Sequence, residues 1–130
     1  MKVQTETMFP DFTKYWMEIG KFKICLHHFT GPDPGPAHDH PLGFWTTIVK
    51  GGYIEEIWDE DKGVWYEMHR KPGQHFYVPS IRIHRILSLP DGECITMVEW
   101  DDSKPRRQWL FWRNKEFGDG LESSTNPYWN

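Results

Sequence analysis

Two histidines separated by a single residue, in the run His38-Asp39-His40, carry the strongest chemical signal in this sequence. Residues two apart on an extended segment point to the same side, so both imidazoles can converge on one point. The approach Gly31-Pro32-Asp33-Pro34-Gly35-Pro36 and the following Pro41 stiffen that geometry, because proline fixes φ. Neutral imidazoles suit Fe(II), Zn, Ni or Cu, and the residue types do not choose among them. Two solvated surface histidines would satisfy the same pattern, so the pair alone leaves both readings open. Near the other end, Lys104-Pro105-Arg106-Arg107 precedes Trp109, Phe111, Trp112 and Arg113. Cations mixed with aromatics can stack nucleotide bases, or they can form an amphipathic last strand, which is the preferred reading. The sequence contains no P-loop, dinucleotide fingerprint, serine nucleophile elbow or paired-carboxylate motif.

The elements that must position these residues are short runs rich in β-branched and aromatic residues, each closed by turn residues. Strands are predicted over 15–19 and 22–29 around Gly20, 44–50 and 53–58 around Gly51-Gly52, then 64–69, 75–78, 82–89, 93–100 and 108–112. This spacing is that of an all-β sandwich or barrel. In the 22–29 arm, Phe22, Ile24, Leu26 and His28 share one face, which is expected to point inward. Lys23, Cys25 and His27 share the other, and His27 and His69 are expected to be exposed. Tyr53 and Glu55 alternate against Ile54, Glu56 and Trp58, so one of these acids can reach a pocket mouth or simply be solvated. Residues 1–12 are expected to form a short helix or an arm, and 117–130 a loose polar tail.

Length and composition bound the function class. A chain of 130 residues suits one domain, 1–130, with its core over about 14–113. Aromatics make up 16% of it, which calls for a wide apolar interior and excludes a disordered segment. Eleven glycines and ten prolines argue for many turns and against a helical bundle. The net charge of −4 argues against a nucleic-acid coat. No apolar run is long enough to span a bilayer, and the N-terminus lacks a secretory h-region, so the expected location is the cytoplasm, with no membrane partner. Cys25 and Cys94 are accordingly expected to be reduced and buried.

The second chemical run reads Pro72-Gly73-Gln74-His75-Phe76-Tyr77-Val78-Pro79-Ser80-Ile81-Arg82-Ile83-His84. Together with His38-Asp39-His40 and the later Lys50-Gly51, it resembles the two motifs of the cupin superfamily: two histidines flanking one residue and then a glycine, followed by glycine, proline and a third histidine. The resemblance covers roughly residues 22–112. Further matches to small single-domain cupins of bacteria and their viruses lie in Leu26-His27-His28-Phe29, His38-Asp39-His40-Pro41, Gly51-Gly52-Tyr53-Ile54-Glu55, His84-Arg85-Ile86-Leu87 and Arg107-Gln108-Trp109-Leu110-Phe111-Trp112. Two departures matter. The family's glutamate would fall at Phe44 or Trp45, and its asparagine after the third histidine is replaced near Leu87 and Ser88. What remains is a three-histidine set, His38, His40 and His84, which looks like the thiol dioxygenase arrangement.

The resemblance implies an all-β double-stranded β-helix, the cupin jelly roll, with the three histidines holding a divalent metal in an aromatic-lined cavity. Fe(II) is the first expectation, with Zn, Ni or Mn as other occupants. It implies a dioxygenase acting on a small organic substrate, and pairing into a homodimer through edge strands. The other readings are an isomerase or lyase on a sugar or keto acid, and a module that binds a nucleotide or metabolite without turnover. Three further side chains are expected at the catalytic site. His28, on the face read as inward, would be a fourth ligand, an orienting group or an acid/base, against the alternative of a packed core histidine. Arg82, two residues before His84, would anchor a substrate carboxylate or pair with a surface acid. Tyr77 would donate a proton near bound oxygen.

Overall fold

The computed structural model describes residues 2–127. Twelve strands are present: β1 (Lys2–Phe9), β2 (Phe12–Ile19), β3 (Phe22–Phe29), β4 (Ala37–His38), β5 (Phe44–Lys50), β6 (Tyr53–Asp59), β7 (Val64–Arg70), β8 (His75–Val78), β9 (His84–Ser88), β10 (Cys94–Trp100), β11 (Phe111–Asn114) and β12 (Leu121–Ser124). They form two six-stranded sheets, in the orders β1-β2-β3-β10-β5-β8 and β12-β11-β4-β9-β6-β7. Every pairing is antiparallel, and after β3 the chain crosses repeatedly from one sheet to the other. That winding is the expected jelly roll. No helix among the described residues is long and apolar enough to cross a membrane.

The turns follow their residues. Ile19 pairs with Phe22 across Gly20-Lys21, with Gly20 at φ 59°, a conformation glycine adopts without a Cβ penalty. Asp59 closes the β6–β7 turn by accepting the Asp61 and Lys62 N–H groups, each at 3.0 Å. Between β5 and β6 the chain changes sheet through Gly51 (φ 78°) and Gly52 (φ 131°). A Cβ on Gly51 would land on the Glu93 carbonyl oxygen, and one on Gly52 on that of Arg70. Gly51→Ala is therefore expected to lower stability by at least about 1–3 kcal/mol from backbone strain alone, read as a fall in thermal midpoint by circular dichroism. An unchanged midpoint would contradict this close approach.

Inward side chains of both sheets build the core. Phe29, Ile48, Tyr53, Ile86 and Cys94 form one cluster, and Cys25, Phe44, Val78 and Val98 another. Cys25 and Cys94 are free and buried, and burial pushes both thiols up to about 11.

Several expectations are corrected here. The parity of β3 is the reverse of that read from its sequence: Cys25, His27 and Phe29 are buried, while Ile24, Leu26 and His28 lie half-exposed on the outer face. Both faces of this strand carry apolar residues, so local pattern does not discriminate; the packing of Phe29 into the first cluster decides it. The N-terminal segment is neither helix nor arm but strand β1, paired along β2 from Lys2↔Glu18 to Phe9↔Phe12. The tail is not loose throughout, since β12 pairs with β11; the part of that expectation covering 128–130 lies outside the described residues.

Candidate metal centre

His38 and Asp39 stand at the centre of the second sheet. The two-residue strand β4 is bordered by β11, where Phe111 pairs with His38, and by β9, where His84 pairs with His38. The register between β4 and β9 thus brings residues 38 and 84 face to face. Asp39, between the two histidines, points the other way and is 1% exposed. Its carboxylate accepts the Leu110 backbone N–H at 2.9 Å and the Trp112 indole N–H at 3.3 Å, and its own N–H donates to the Leu110 carbonyl. The His40 N–H donates to the Ser80 carbonyl at 3.1 Å. Both backbone positions of the pair are therefore held, and the imidazoles are left to meet each other.

They do meet. The ring centroids lie 5.0 Å apart for His38 and His40, 5.1 Å for His38 and His84, and 4.9 Å for His40 and His84. One nitrogen from each ring falls within 4.8 Å of the others, the arrangement a single ion requires. Phe44 packs edge-on to His40 at 4.9 Å, and Trp109 edge-on to His38 at 6.3 Å, giving the site aromatic walls.

Glu55 explains why one nitrogen of His84 is free. This carboxylate is fully buried and accepts from Arg70 Nε and from His84 Nδ1, both at 2.9 Å. Burial alone would raise its pKa; the hydrogen bonds and charges of His84 and Arg70 outweigh that and hold the carboxyl below its usual value, ionised. An ionised carboxylate only accepts, so His84 donates from Nδ1, and in its neutral form it then carries its lone pair on Nε2. His84 Nε2 is buried without any hydrogen-bond partner, as is His40 Nδ1. Two of the three clustered imidazoles thus bury a ring nitrogen without a partner, and one is backed by a carboxylate, a donor set that fits a divalent ion. The sequence raised Glu55 only as an acid for a pocket mouth; its partner 29 residues away is set by the β6–β9 register, which local pattern does not reveal.

Burial pushes the His38 imidazole down to about 4, with the neighbouring His84 acting in the same direction, and pushes His40 well below its usual value. His27, expected at the surface, is 7% exposed and wedged among the rings of Phe12, Phe29 and Trp100. Its imidazole is pushed down from 6.5 to about 3, by burial and then by Lys14. Below pH 6.5 the unfolded chain takes up a proton here that the folded chain refuses until about pH 3, so stability must fall across that window. We expect the thermal midpoint of metal-free protein to drop between pH 7 and pH 4, each pH unit costing up to about 1.4 kcal/mol for this group. His27→Gln should flatten the profile, and an equally steep profile in that variant would count against it.

Two of the three remaining expected residues, His28 and Tyr77, face away from this centre. His28 lies on the outer face, its Nε2 2.7 Å from Glu93 Oε1, with Lys50 Nζ on the same carboxylate at 3.2 Å. Tyr77 also faces outward: it packs on the half-exposed Trp45 and donates its hydroxyl to Asp101 Oδ2 at 2.7 Å. That carboxylate is held at about 2 by Ser103 and then by Tyr77, so the phenol proton is committed there, beside a surface crevice of about 160 Å³. Inward positions on β8 belong to Phe76 and Val78. Arg82 precedes the strand, which begins at His84, and its N–H donates to Pro79 O in a turn, so strand alternation does not set its direction.

No family model and no curated protein matches the chain. Solved structures do. Hydroxypropylphosphonic acid epoxidase from S. wedmorenis superposes with a TM-score of 0.57 at 10% identity, over 75% of this chain and 54% of that one. The DMSP lyase DddQ from Ruegeria pomeroyi gives 0.58 at 18% identity, over 78% and 58%. A variant of Bacillus subtilis oxalate decarboxylase OxdC gives 0.58 at 16% identity, over 78% and 29%. The chain thus spans little more than half the length of the first two and under a third of the last. At these identities the likeness is one of architecture: the chain has the cupin jelly-roll fold.

Proposed function

We propose that this protein is a mononuclear metal-dependent oxidoreductase, an Fe(II) dioxygenase of a small organic substrate. The observation that carries the reading is the convergence of His38, His40 and His84, with the buried Nε2 of His84 unpartnered and its Nδ1 bound to Glu55. These three imidazoles would hold the ion. Bound Fe(II) supplies the unpaired electrons that let dioxygen react with a closed-shell substrate. The chain's own residues do the rest. Asp39 and Glu55 fix the imidazoles before the ion arrives, so little ordering remains to be done on binding. Low basicity at His38 and His40 keeps both rings neutral and available as donors at neutral pH. Phe44 and Trp109 restrict water around the site. The likeness to an Fe(II) form of the epoxidase supports this choice of metal.

The likeness to a DMSP lyase keeps a second reading, a metal-dependent lyase or isomerase, in view. An oxygen electrode separates the two: iron-loaded protein supplied with a panel of small organic acids is expected to consume dioxygen, and turnover without oxygen uptake would favour the lyase. Purified protein with no affinity for added Fe, Zn, Ni or Mn would overturn both. On the proposed reading, residues 1–130 act as one cupin domain in the cytoplasm and pair as a homodimer through an edge strand, which light scattering on the eluted protein tests directly.

A further inference from the structure

The concave face of the first sheet carries a cation and a buried polar nitrogen that the metal centre does not use. Lys14 on β2 pairs across the ladder with His27 on β3, so both side chains stand on the same inward face. The Lys14 ammonium lies 5.5 Å from the Trp100 ring and 5.8 Å from the Phe12 ring, and it makes no ion pair among the described residues. Glu6, its partner on β1, is exposed and makes no ion pair with it. His27 Nε2 is buried and has no hydrogen-bond partner. A desolvated polar nitrogen without a partner is costly, so it is a place where a ligand atom restores a lost bond.

This pair is linked to the metal centre through two aromatic rings, Trp100 and Phe44. Trp100 stacks obliquely on Phe44 at 5.0 Å, and Phe44 packs on His40 at 4.9 Å.

We propose that Lys14 and His27 form the subsite for a substrate carboxylate, with the reacting end of the same molecule directed at His38, His40 and His84. The charge balance selects the class. One ammonium and one neutral imidazole offer a single positive charge and two donors, which suits a monoanionic carboxylate and leaves a dianionic phosphonate half-compensated. The aromatic wall of Phe12, Phe29 and Trp100 suits a short apolar stem behind that carboxylate. Arg82, outside its strand, is not needed for this role.

The inference rests on the metal reading, and its test separates the two. Propionate, propionamide and methylphosphonate would be titrated into Co(II)-loaded wild type, Lys14→Gln, Lys14→Arg and His27→Gln, with binding followed by calorimetry and metal content by mass spectrometry. We expect propionate to bind wild type more tightly than the other two probes. Lys14→Gln should weaken propionate at least about tenfold, the scale of one charge-assisted hydrogen bond, and Lys14→Arg should recover most of that loss, with metal content equal to wild type throughout. Lys14 is half-buried, so its variants keep the test valid even if the core rejects His27→Gln. Metal-loaded wild type that binds no propionate, or propionate affinity indifferent to Lys14→Gln, overturns the subsite alone. Wild type that takes up no divalent metal overturns the metal reading and the subsite with it.

Discussion

His84→Ala is expected to abolish tight metal binding. Wild-type protein should retain about one divalent ion per chain after desalting, at the cluster where three imidazole nitrogens lie within 4.8 Å. Removing the third ring leaves two donors, and affinity should drop by at least the roughly 100-fold that loss of an outer partner can cause at such sites. Thermal unfolding of the metal-free variant controls for fold, because the buried Glu55 carboxylate loses its His84 donor. Alanine at position 84 leaves the β4–β9 and β6–β9 ladders with their backbone groups intact. It also releases Glu55 to bind Arg70 alone. Metal analysis by mass spectrometry and the thermal shift on adding metal read the result together. A variant that still holds stoichiometric metal would remove His84 from the site, and one that keeps the affinity of wild type for a small ligand would point to a binding pocket without metal.

The second large effect lies at Glu55, and here the two obvious substitutions should behave differently. Glu55→Ala strands the Arg70 guanidinium, which is 12% exposed in its side chain and stacked 3.7 Å from the Phe76 ring, without its counter-charge. Breaking a buried pair from one side costs about 3–5 kcal/mol, or roughly 10 °C or more in thermal midpoint for a chain of this size. Glu55→Gln keeps the volume and can still accept from Arg70, but its amide N–H₂ then faces His84 Nδ1. That reverses the hydrogen bond, shifts the His84 proton to Nε2 and removes the lone pair from the side facing His38 and His40. The glutamine variant should thus remain well folded yet bind metal about 10- to 100-fold more weakly. If its affinity matched wild type, the carboxylate would be structural only.

The strands were legible because their signals are local. Alternation, β-branched and aromatic runs and glycine-bearing turns placed β2, β3 and β5 to β11 to within a few residues, with β9 starting two residues late and β11 three. The segments that escaped lack such signals. β4 is two residues long in a proline-rich stretch, and β1 and β12 are polar edge strands, held by pairing to β2 and β11 instead of by burial. Among the site residues, His38 and His40 declared themselves by a spacing of two. His28 and His27 did not, because adjacent residues on a strand exchange roles with a one-residue change of parity, and apolar residues on both faces of β3 hide which parity holds.

By itself, then, the amino-acid order determined the all-β class, the glycine turn at Gly51-Gly52, the paired imidazoles of His38 and His40, and through its motif spacing the candidacy of His84. Only the tertiary structure decided what those groups face. Inter-strand register set His84 opposite His38, drew Glu55 and Arg70 behind it, buried His27 across from Lys14, and turned His28 and Tyr77 away. The physical reason is range: backbone preference and hydrophobic alternation act over a few residues, whereas the partner of a buried charge is chosen by which distant strands share hydrogen bonds.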